Sequence, residues 1–327
     1  MKPTTVIAAL AVFLLAFSTN CPAYDTRHGN VAKFIDQMVA KHKFNRRSLN
    51  TLFSTAETQH SILKAISKPA EAMPWYKYRR IFLTESRIDG GVKFWRDNKR
   101  TLAAVENRYG VPPEVIVAII GVETRYGANT GSYRVIDALS TLGFEYPKRA
   151  TFFRKELEAF LLLCRDEGIN PATPKGSYAG AMGFPQFMPS SFRAYAADFD
   201  GDKRRDIWSN HSDAIASVAN YFAVHGWKPG QAVTFPVNVK GNKVNAILDN
   251  DLKPKFTAAR IAKYGVTIPR AVAPAAKAKL IKLDNITGPD YWLALHNFYV
   301  ITRYNHSPLY AMAVYQLSRE ILEKNKS

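Results

Sequence analysis

The sequence has 327 residues, of which 47% are hydrophobic, and it carries a formal net charge of +18 at pH 7. A chain of this length buries a large core, which we expect to be split into two or three lobes, so stability does not depend on disulfide bonds. The charge attracts polyanions, but the basic residues occur in twos and threes, which excludes a long basic tail.

The N-terminus predicts export from the cytoplasm. Lys2 precedes an apolar run from Val6 to Phe17, and the small-residue stretch Ser18 to Ala23 follows. This arrangement is typical of a secretory signal peptide, which we place at residues 1–23. The run has twelve residues, whereas a membrane-spanning helix needs roughly 20. We therefore expect a periplasmic protein that begins near Tyr24, is not transmembrane and has no nucleic acid as a partner.

The two cysteines favour a soluble protein without disulfides. Cys21 would carry the lipid in a lipoprotein, but the bulky, polar Asn20 before it argues against a lipid anchor. Removal of the signal peptide leaves only Cys164, so no internal disulfide can form. Cys164 follows three leucines on a predicted helix, and we expect it to be a buried structural thiol.

Most of the chain is predicted to be helical. Between about residues 30 and 220 the apolar residues recur with helical spacing, and the amphipathic stretches cover 31–42, 91–109 and 151–167. Patterns typical of strands are scarce in this part. The sequence therefore predicts a mainly α fold.

The composition changes in the last third of the chain. Residues 233–239 alternate as a strand does, and turn residues follow them. We interpret 228–288 as a small β-containing lobe inserted into a helical catalytic region made of 24–227 and 289–327. An amphipathic stretch at 310–323 predicts a closing helix.

One predicted helix presents a single carboxyl group. The segment 111–114 (VPPE) is a helix start, because proline is tolerated in the first turn. Residues 115–122 contain no polar side chain, which indicates a helix buried on all sides. This apolar run leads directly into Glu123, and Gly127 suits a left-handed cap that ends the helix.

A carboxyl group at the end of a buried helix has a raised pKa. Desolvation and the negative end of the helix dipole both disfavour the charged form of Glu123. A carboxylic acid that is still protonated near neutral pH is what a glycosidase needs to protonate a leaving oxygen. The alternative is a structural glutamate paired with Arg125 or with another basic residue.

A loop rich in small residues has the chemistry of a sugar site. Residues 176–189 (GSYAGAMGFPQFMP) combine backbone that a ligand can approach closely with aromatic rings. Ser177 and Gln186 add hydrogen-bonding groups that would fix the orientation of a sugar. The alternative is an ordinary connection between two helices.

Four blocks of the sequence resemble one enzyme family. They are GVETRYG at 121–127, the loop at 176–189, DAIASVANYF at 213–222 and TRYNHS at 302–307. In this order they are similar to the lytic murein transglycosylase B family. The likeness extends over about residues 30 to 320.

The resemblance implies a lysozyme-like helical core, a further helical lobe and a small β lobe. It also implies cleavage of the β-1,4 bond between N-acetylmuramic acid and N-acetylglucosamine, with closure of a 1,6-anhydro ring instead of attack by water. Glu123 falls on the catalytic carboxylate of the family and would serve as acid and then as base, without any cofactor. A hydrolytic muramidase and a non-catalytic wall-binding protein are the alternatives.

The same matching implies a glycan-binding groove. Lys148 and Arg149 fall on a basic pair near the carboxylates of the substrate. For the tyrosines, core packing is the alternative. The expected partner is the peptidoglycan glycan strand, bound by a monomer, and the sequence identifies no protein partner of cell-wall synthesis. The other matching residues are Tyr78, Ser177, Gln186, Tyr221, Tyr304, Asn305 and Tyr310.

A short acidic segment is half of a calcium loop. Asp198, Asp200 and Asp202 occupy positions 1, 3 and 5 of an EF-hand-like loop, although position 6 is Lys203 instead of glycine. The resemblance adds Asp213 and the backbone carbonyl of Arg204 as ligands of a structural Ca²⁺. The alternative is neutralisation of the aspartates by Lys203, Arg204 and Arg205.

Overall fold

The computed structural model describes residues 24–67 and 73–327, so the predicted signal peptide lies outside the described residues. The chain is mainly helical, as predicted. None of the described helices is long and apolar enough to cross a membrane. The helices before the acidic segment are α1 Gly29–His42, α2 Arg46–Ser54, α3 His60–Ile66, α4 Trp75–Phe82, α5 Glu85–Asp97, α6 Lys99–Tyr109, α7 Pro113–Thr124, α8 Val135–Glu145 and α9 Ala150–Asp166. The later helices are α10 Pro189–Tyr195, α11 His211–Val224, α12 Ala258–Ala262, α13 His296–Tyr304 and α14 Pro308–Lys326.

The amphipathic stretch predicted over 91–109 is two helices and not one. α5 ends at Asp97 and α6 begins at Lys99. The side-chain amide of Asn98 donates a hydrogen bond of 2.9 Å to the carbonyl oxygen of Phe94. The same carbonyl accepts the backbone N–H of Asn98 at 3.1 Å, and the added side-chain bond stabilises the break.

The apolar run predicted at 115–122 forms the central helix of the core. α7 is buried on all sides from Val115 to Val122, as expected for a segment without polar side chains. It packs against α5, α6, α11 and α14, while α8 and α9 pack on each other beside it. Cys164 on α9 is a buried free thiol, which confirms the prediction, and burial raises its pKa to about 12.

The small β lobe is built on an antiparallel sheet with its own core. A separate two-stranded sheet joins β1 Tyr133–Arg134 to β2 Lys175–Gly176. The strands of the lobe are β3 Thr234–Val237, β4 Phe256–Thr257, β5 Lys277–Asn285 and β6 Gly288–Ala294. Their order in the sheet is β3-β6-β5-β4, and the predicted strand over 233–239 is β3. β6 extends beyond residue 288, where the sequence analysis ends the lobe, because it is the hairpin partner of β5.

Alternation along β5 attaches the lobe to the helical body. Successive side chains of a strand point to opposite faces. Leu280 packs into the small core of the lobe, whereas Ile281 and Leu283 join the main hydrophobic core. β5 also contacts α4. β5 is therefore buried on both faces, and it lies against α4.

Candidate active site

Glu123 lies in the last turn of α7, half-buried, with one strong hydrogen bond. The hydroxyl of Tyr310 donates to Glu123 Oε1 at 2.5 Å. Burial raises the pKa of Glu123 to about 7, although the hydrogen bond from Tyr310 acts in the opposite direction. The carboxyl group is thus largely protonated just below neutral pH, and it can give up and recover a proton there.

The end of α7 differs in detail from the prediction. Arg125, and not Gly127, is the first left-handed residue after the helix, with φ of 52°, and Tyr126 and Gly127 also have positive φ. A side chain at Gly127 would collide with the ring of Phe184, since its Cβ would lie 2.2 Å from that ring. Arg125 is exposed, and no interaction with Arg125 shifts the pKa of Glu123 among the described residues.

Two tyrosines from distant parts of the chain approach Glu123. Tyr310 is buried in the first turn of α14. Tyr304 is the last residue of α13. Burial raises the pKa of Tyr304, and the negative charge of Glu123 raises it further. The Tyr304 hydroxyl donates to the carbonyl oxygen of Pro185 at 2.7 Å. This bond joins the end of α13 to the loop at 176–189.

Tyr221 and Tyr78 surround this pair. The ring of Tyr221 lies 4.7 Å from that of Tyr304, and its hydroxyl donates to the carbonyl of Arg303 at 2.5 Å. Burial raises the pKa of Tyr221 to about 12. Tyr78 on α4 packs against Phe82 and is close enough to Tyr310 to raise the pKa of that residue.

The loop at 176–189 is tied to the end of α7. The hydroxyl of Thr124, next to Glu123, donates to the carbonyl of Phe184 at 3.2 Å. Gln186 has a left-handed backbone, and its amide donates to the carbonyls of Thr130 and Gly183. The Ser177 hydroxyl oxygen accepts backbone N–H groups within the loop, from Ala179 and Ala181.

Three predicted binding residues lie on the surface. Asn305 is exposed directly after Tyr304. Lys148 and Arg149 are exposed in a short 3-10 turn between α8 and α9, and the Arg149 guanidinium lies 4.4 Å from the ring centre of Phe152. In the part of the chain that the structure describes, neither basic side chain contacts Glu123.

The acidic segment has the geometry of a cation loop. Carboxylate oxygens of Asp198, Asp200 and Asp202 lie within 4.8 Å of one another. Lys203 has φ of 69°, which is the left-handed backbone that glycine supplies at position 6 of an EF-hand. Both oxygens of the buried Asp213 accept backbone N–H groups, from Phe199 and Asp206, at 2.8 Å.

The basic residues beside this loop do not neutralise it. Arg205 bonds to Glu167, with 2.9 Å between Nε and Oε1. Over residues 24–67 and 73–327, no ion pair joins Lys203 or Arg204 to an aspartate of the loop. The possible ligand atoms are carboxylate oxygens, hard donors that suit Ca²⁺. Burial raises the pKa of Asp213, and the nearby charges of Asp200 and Asp198 raise it further.

Sequence reasoning missed the side chains that support Glu123 from behind. Thr124 was not singled out, and neither was Arg87, a buried residue of α5 that reaches the carbonyl end of α7. The glycine pair at 90–91, where the predicted helix over 91–109 begins, was the available signal, because glycine inside a helix is unfavourable unless a neighbour needs the space.

A helical core that holds one desolvated carboxyl group beside several tyrosines is typical of enzymes that cleave glycans. The family described as "Transglycosylase SLT domain" matches residues 26–319. The chain belongs to this family, and it is an enzyme of the lytic transglycosylase class.

Relatives are similar over most of the chain. The membrane-bound lytic murein transglycosylase B of Escherichia coli K12 is 45% identical over 302 residues, which cover 89% of this chain and 82% of that protein. The catenated lytic transglycosylase SltB1 of Pseudomonas aeruginosa superposes with a TM-score of 0.88 at 48% identity, over 92% of this chain and all of that one. The Escherichia coli lytic transglycosylase Slt35, solved in complex with calcium, gives a TM-score of 0.84 at 44% identity, over 90% and 93% of the two chains.

Proposed function

We propose that this enzyme cleaves the β-1,4 bond between N-acetylmuramic acid and N-acetylglucosamine in peptidoglycan without adding water. Glu123 is the catalytic acid and base in this proposal. The observation that carries it is one desolvated carboxyl group with a pKa near 7, held by Tyr310. Among the described residues, no second carboxylate shifts the pKa of Glu123. A mechanism with two carboxylates would need a second one about 5–10 Å away.

The proposed reaction uses one carboxyl group twice, first as an acid and then as a base. Glu123 donates its proton to the glycosidic oxygen as the bond from that oxygen to C1 of the muramyl residue breaks. The carbonyl oxygen of the 2-acetamido group supports C1 in place of a protein nucleophile. The Glu123 carboxylate then takes the proton from O6 of the same sugar while O6 bonds to C1. The carboxyl group is restored, and the product carries a 1,6-anhydro ring.

The surrounding tyrosines have two tasks in this proposal. Tyr310 orients the carboxyl group, and its hydrogen bond keeps the pKa of Glu123 from rising further, so the carboxylate remains accessible as a base. Tyr221 and Tyr304 donate hydroxyl hydrogen bonds to protein carbonyls. The half-buried ring of Tyr304 is the surface available to a sugar, and the buried Tyr221 packs behind it. The proposed groove also contains the other residues that match the family, which are Tyr78, Lys148, Arg149, Ser177, Gln186 and Asn305.

Mass spectrometry of the products tests this function. Purified sacculi are digested with the enzyme, and the released muropeptides are weighed. Anhydro ends, lighter by one water than reducing ends, support the proposal. Reducing ends would instead identify a hydrolytic muramidase. Binding to sacculi without release of any muropeptide would identify a wall-binding protein.

We further propose that the acidic loop binds one structural Ca²⁺. Asp198, Asp200 and Asp202 would be its side-chain ligands, and the Arg204 carbonyl would add a backbone oxygen. Asp213 would be the fourth carboxylate of the site and would add a further negative charge to it. The left-handed Lys203 and the lack of paired cations in the described loop support this proposal, as does the solved calcium complex of the Escherichia coli relative. The ion takes no part in the chemistry.

We also propose that the enzyme acts as a monomer in the periplasm after removal of residues 1–23. Mass spectrometry of the protein from a periplasmic fraction tests this. A chain that starts near Tyr24 supports the proposal, whereas a lipid-bearing Cys21 would place the enzyme on a membrane.

A further inference from the structure

A buried cation caps the carbonyl end of the helix that carries Glu123. Arg87 on α5 has only 6% of its surface exposed. Its Nη1 donates to the carbonyl oxygen of Gly121 and, at 3.5 Å, to that of Val122, and Nη2 donates to the carbonyl of Ile81 at 3.3 Å. These contacts hold the backbone immediately before Glu123, and the Gly121 carbonyl also accepts the backbone N–H of Arg125 at 3.2 Å.

Capping a helix with a buried arginine costs free energy, because the charge must be removed from water. The Nε of Arg87 is buried without a hydrogen-bond partner, and burial lowers the pKa of Arg87, which the like charge of Arg125 lowers further. Within the described residues, no carboxylate pairs with Arg87, and its guanidinium lies 5.2 Å from the ring centre of Phe82. A buried guanidinium without an acid partner carries a desolvation cost that a left-handed glycine at a helix end does not. This cost favours a positioning role for Arg87 over a purely stabilising one.

Tyr126 completes the contact from the other side of Glu123. Its hydroxyl donates to the backbone carbonyl of Arg87 at 2.7 Å. Its side chain packs on Gly90, Gly91 and Gly121. A Cβ added at Gly90 would lie 2.8 Å from the Tyr126 ring. A Cβ added at Gly91 or at Gly121 would lie 2.7 Å or 2.5 Å, respectively, from the Tyr126 hydroxyl oxygen. Tyr126 can occupy this space only because all three positions lack a side chain.

We propose that Arg87 and Tyr126 form a lock that positions Glu123. Arg87 holds the backbone before Glu123, and Tyr126 holds the backbone after it, so the last turn of α7 cannot rotate or unwind. The lock fixes the direction of the carboxyl group toward Tyr310 and toward the sugar. Both are positioning residues, because neither touches the reacting atoms. This inference rests on the catalytic role proposed for Glu123.

Substitutions that disturb the lock test it. In Arg87→Met the guanidinium is lost, and we expect kcat to fall about 100-fold, since misplacement of a reacting group by about 1 Å has that effect. In Arg87→Lys a cation remains, and we expect partial recovery. Gly90→Ala pushes on the Tyr126 ring but favours the helix, because alanine is the better helix former. We therefore expect Gly90→Ala to lower kcat about tenfold with only a small fall in melting temperature, since the helix propensity of alanine offsets part of the overpacking strain.

A matched control separates positioning from general loss of structure. Glu156 is another buried polar residue that caps a helix, since its carboxylate accepts the backbone N–H of Ser190 at the start of α10. Glu156→Gln weakens a cap on another helix and removes no effect on the pKa of Glu123, so we expect kcat close to that of the wild type. For each variant, kcat and KM are measured on soluble glycan oligomers. The binding stoichiometry is measured by calorimetry, so that kcat is expressed per intact site.

The lock predicts a fall in kcat per binding site with little change in KM. Full kcat in folded Arg87→Met and in Gly90→Ala would overturn it. If Arg87→Met does not fold, the kcat values of Gly90→Ala and Arg87→Lys test the lock without it. The catalytic assignment is tested in parallel by Glu123→Gln. An inactive Glu123→Gln beside fully active lock variants would reject the lock only, whereas an active Glu123→Gln would reject the proposed function itself.

Discussion

The molecule holds acidic side chains in two contrasting environments. Glu123 stands alone at the end of an apolar helix, and it meets one hydroxyl group. Asp198, Asp200 and Asp202 crowd together in an exposed loop, and each accepts backbone N–H groups from the turns of that loop. Burial dominates the first environment, whereas the second is exposed and rich in N–H donors.

This contrast shows that the surroundings decide what a carboxyl group does. Desolvation favours the neutral form of Glu123, which makes it a proton donor near pH 7. In the loop, three carboxylates that accept backbone N–H groups lie close together at the surface, which is the arrangement that a hard divalent cation prefers. The proton transfer proposed for Glu123 and the cation binding proposed for the loop would therefore use the same functional group.

The largest expected effect is on catalysis by Glu123. In Glu123→Gln the proton donor is lost while shape is retained, and we expect kcat on peptidoglycan to fall by about 10²–10⁴-fold, the usual contribution of a general acid. Release of anhydro-muropeptides measures it. Glu114→Gln is the control, because Glu114 lies at the other end of the same helix and burial raises its pKa too. A Glu123→Gln enzyme as fast as the control would end the catalytic assignment.

The acidic loop predicts the next effect, on stability. At a Ca²⁺ concentration one hundred times the dissociation constant, we expect the free energy of unfolding to rise by about 2.7 kcal/mol. Thermal unfolding with added Ca²⁺ or with a chelator measures it. Asp200→Asn should abolish the response, whereas Asp284→Asn, an exposed residue of β5, should keep it. The same response in both variants would contradict binding at this loop.

The site was predictable from the sequence where its signal is local. The uninterrupted apolar run before Glu123 is enough to expect a buried helix with a desolvated carboxyl group. The spacing of Asp198, Asp200 and Asp202 is also local, and it indicates converging oxygens without any knowledge of the fold. In both places the sequence signal lies within one or two helical or loop turns.

The rest of the site depends on contacts that a sequence pattern does not encode. Tyr310 lies 187 positions from Glu123, and Arg87 lies 34 positions from the carbonyl of Gly121 that it caps. Such pairs follow from helix packing and not from spacing. The break at Asn98 was missed because a single side-chain hydrogen bond, and not the apolar pattern, ends α5.

A third effect concerns the pH dependence of stability. The pKa of Glu123 is about 7 in the folded protein and near its ordinary value of 4.5 in the unfolded chain. Between these values the unfolded chain ionises first, so rising pH favours unfolding. Glutamine does not ionise. We therefore expect Glu123→Gln to be more stable than the wild type by about 1–3 kcal/mol above pH 7, with the difference fading toward pH 4.5.

Urea unfolding at several pH values measures this difference. Glu320→Gln, on the exposed face of α14, controls for the substitution itself. A constant offset between Glu123→Gln and the wild type from pH 4.5 to pH 8 would show that the carboxyl group is not desolvated.

The smallest effect concerns the hydrogen bond to Glu123. Since that bond lowers the pKa of Glu123, its loss in Tyr310→Phe raises the pKa. The acid then keeps its proton to higher pH, so the alkaline limb of the activity profile should shift upward. We also expect kcat to fall about tenfold, which corresponds to one lost hydrogen bond to a charged group. Tyr315→Phe on the same helix is the matched control, because its hydroxyl reaches the carbonyl of Thr234 and not Glu123. An unmoved limb in Tyr310→Phe would mean that Glu123 does not set the pH dependence, and the contrast between the two acidic environments would then lose its functional meaning.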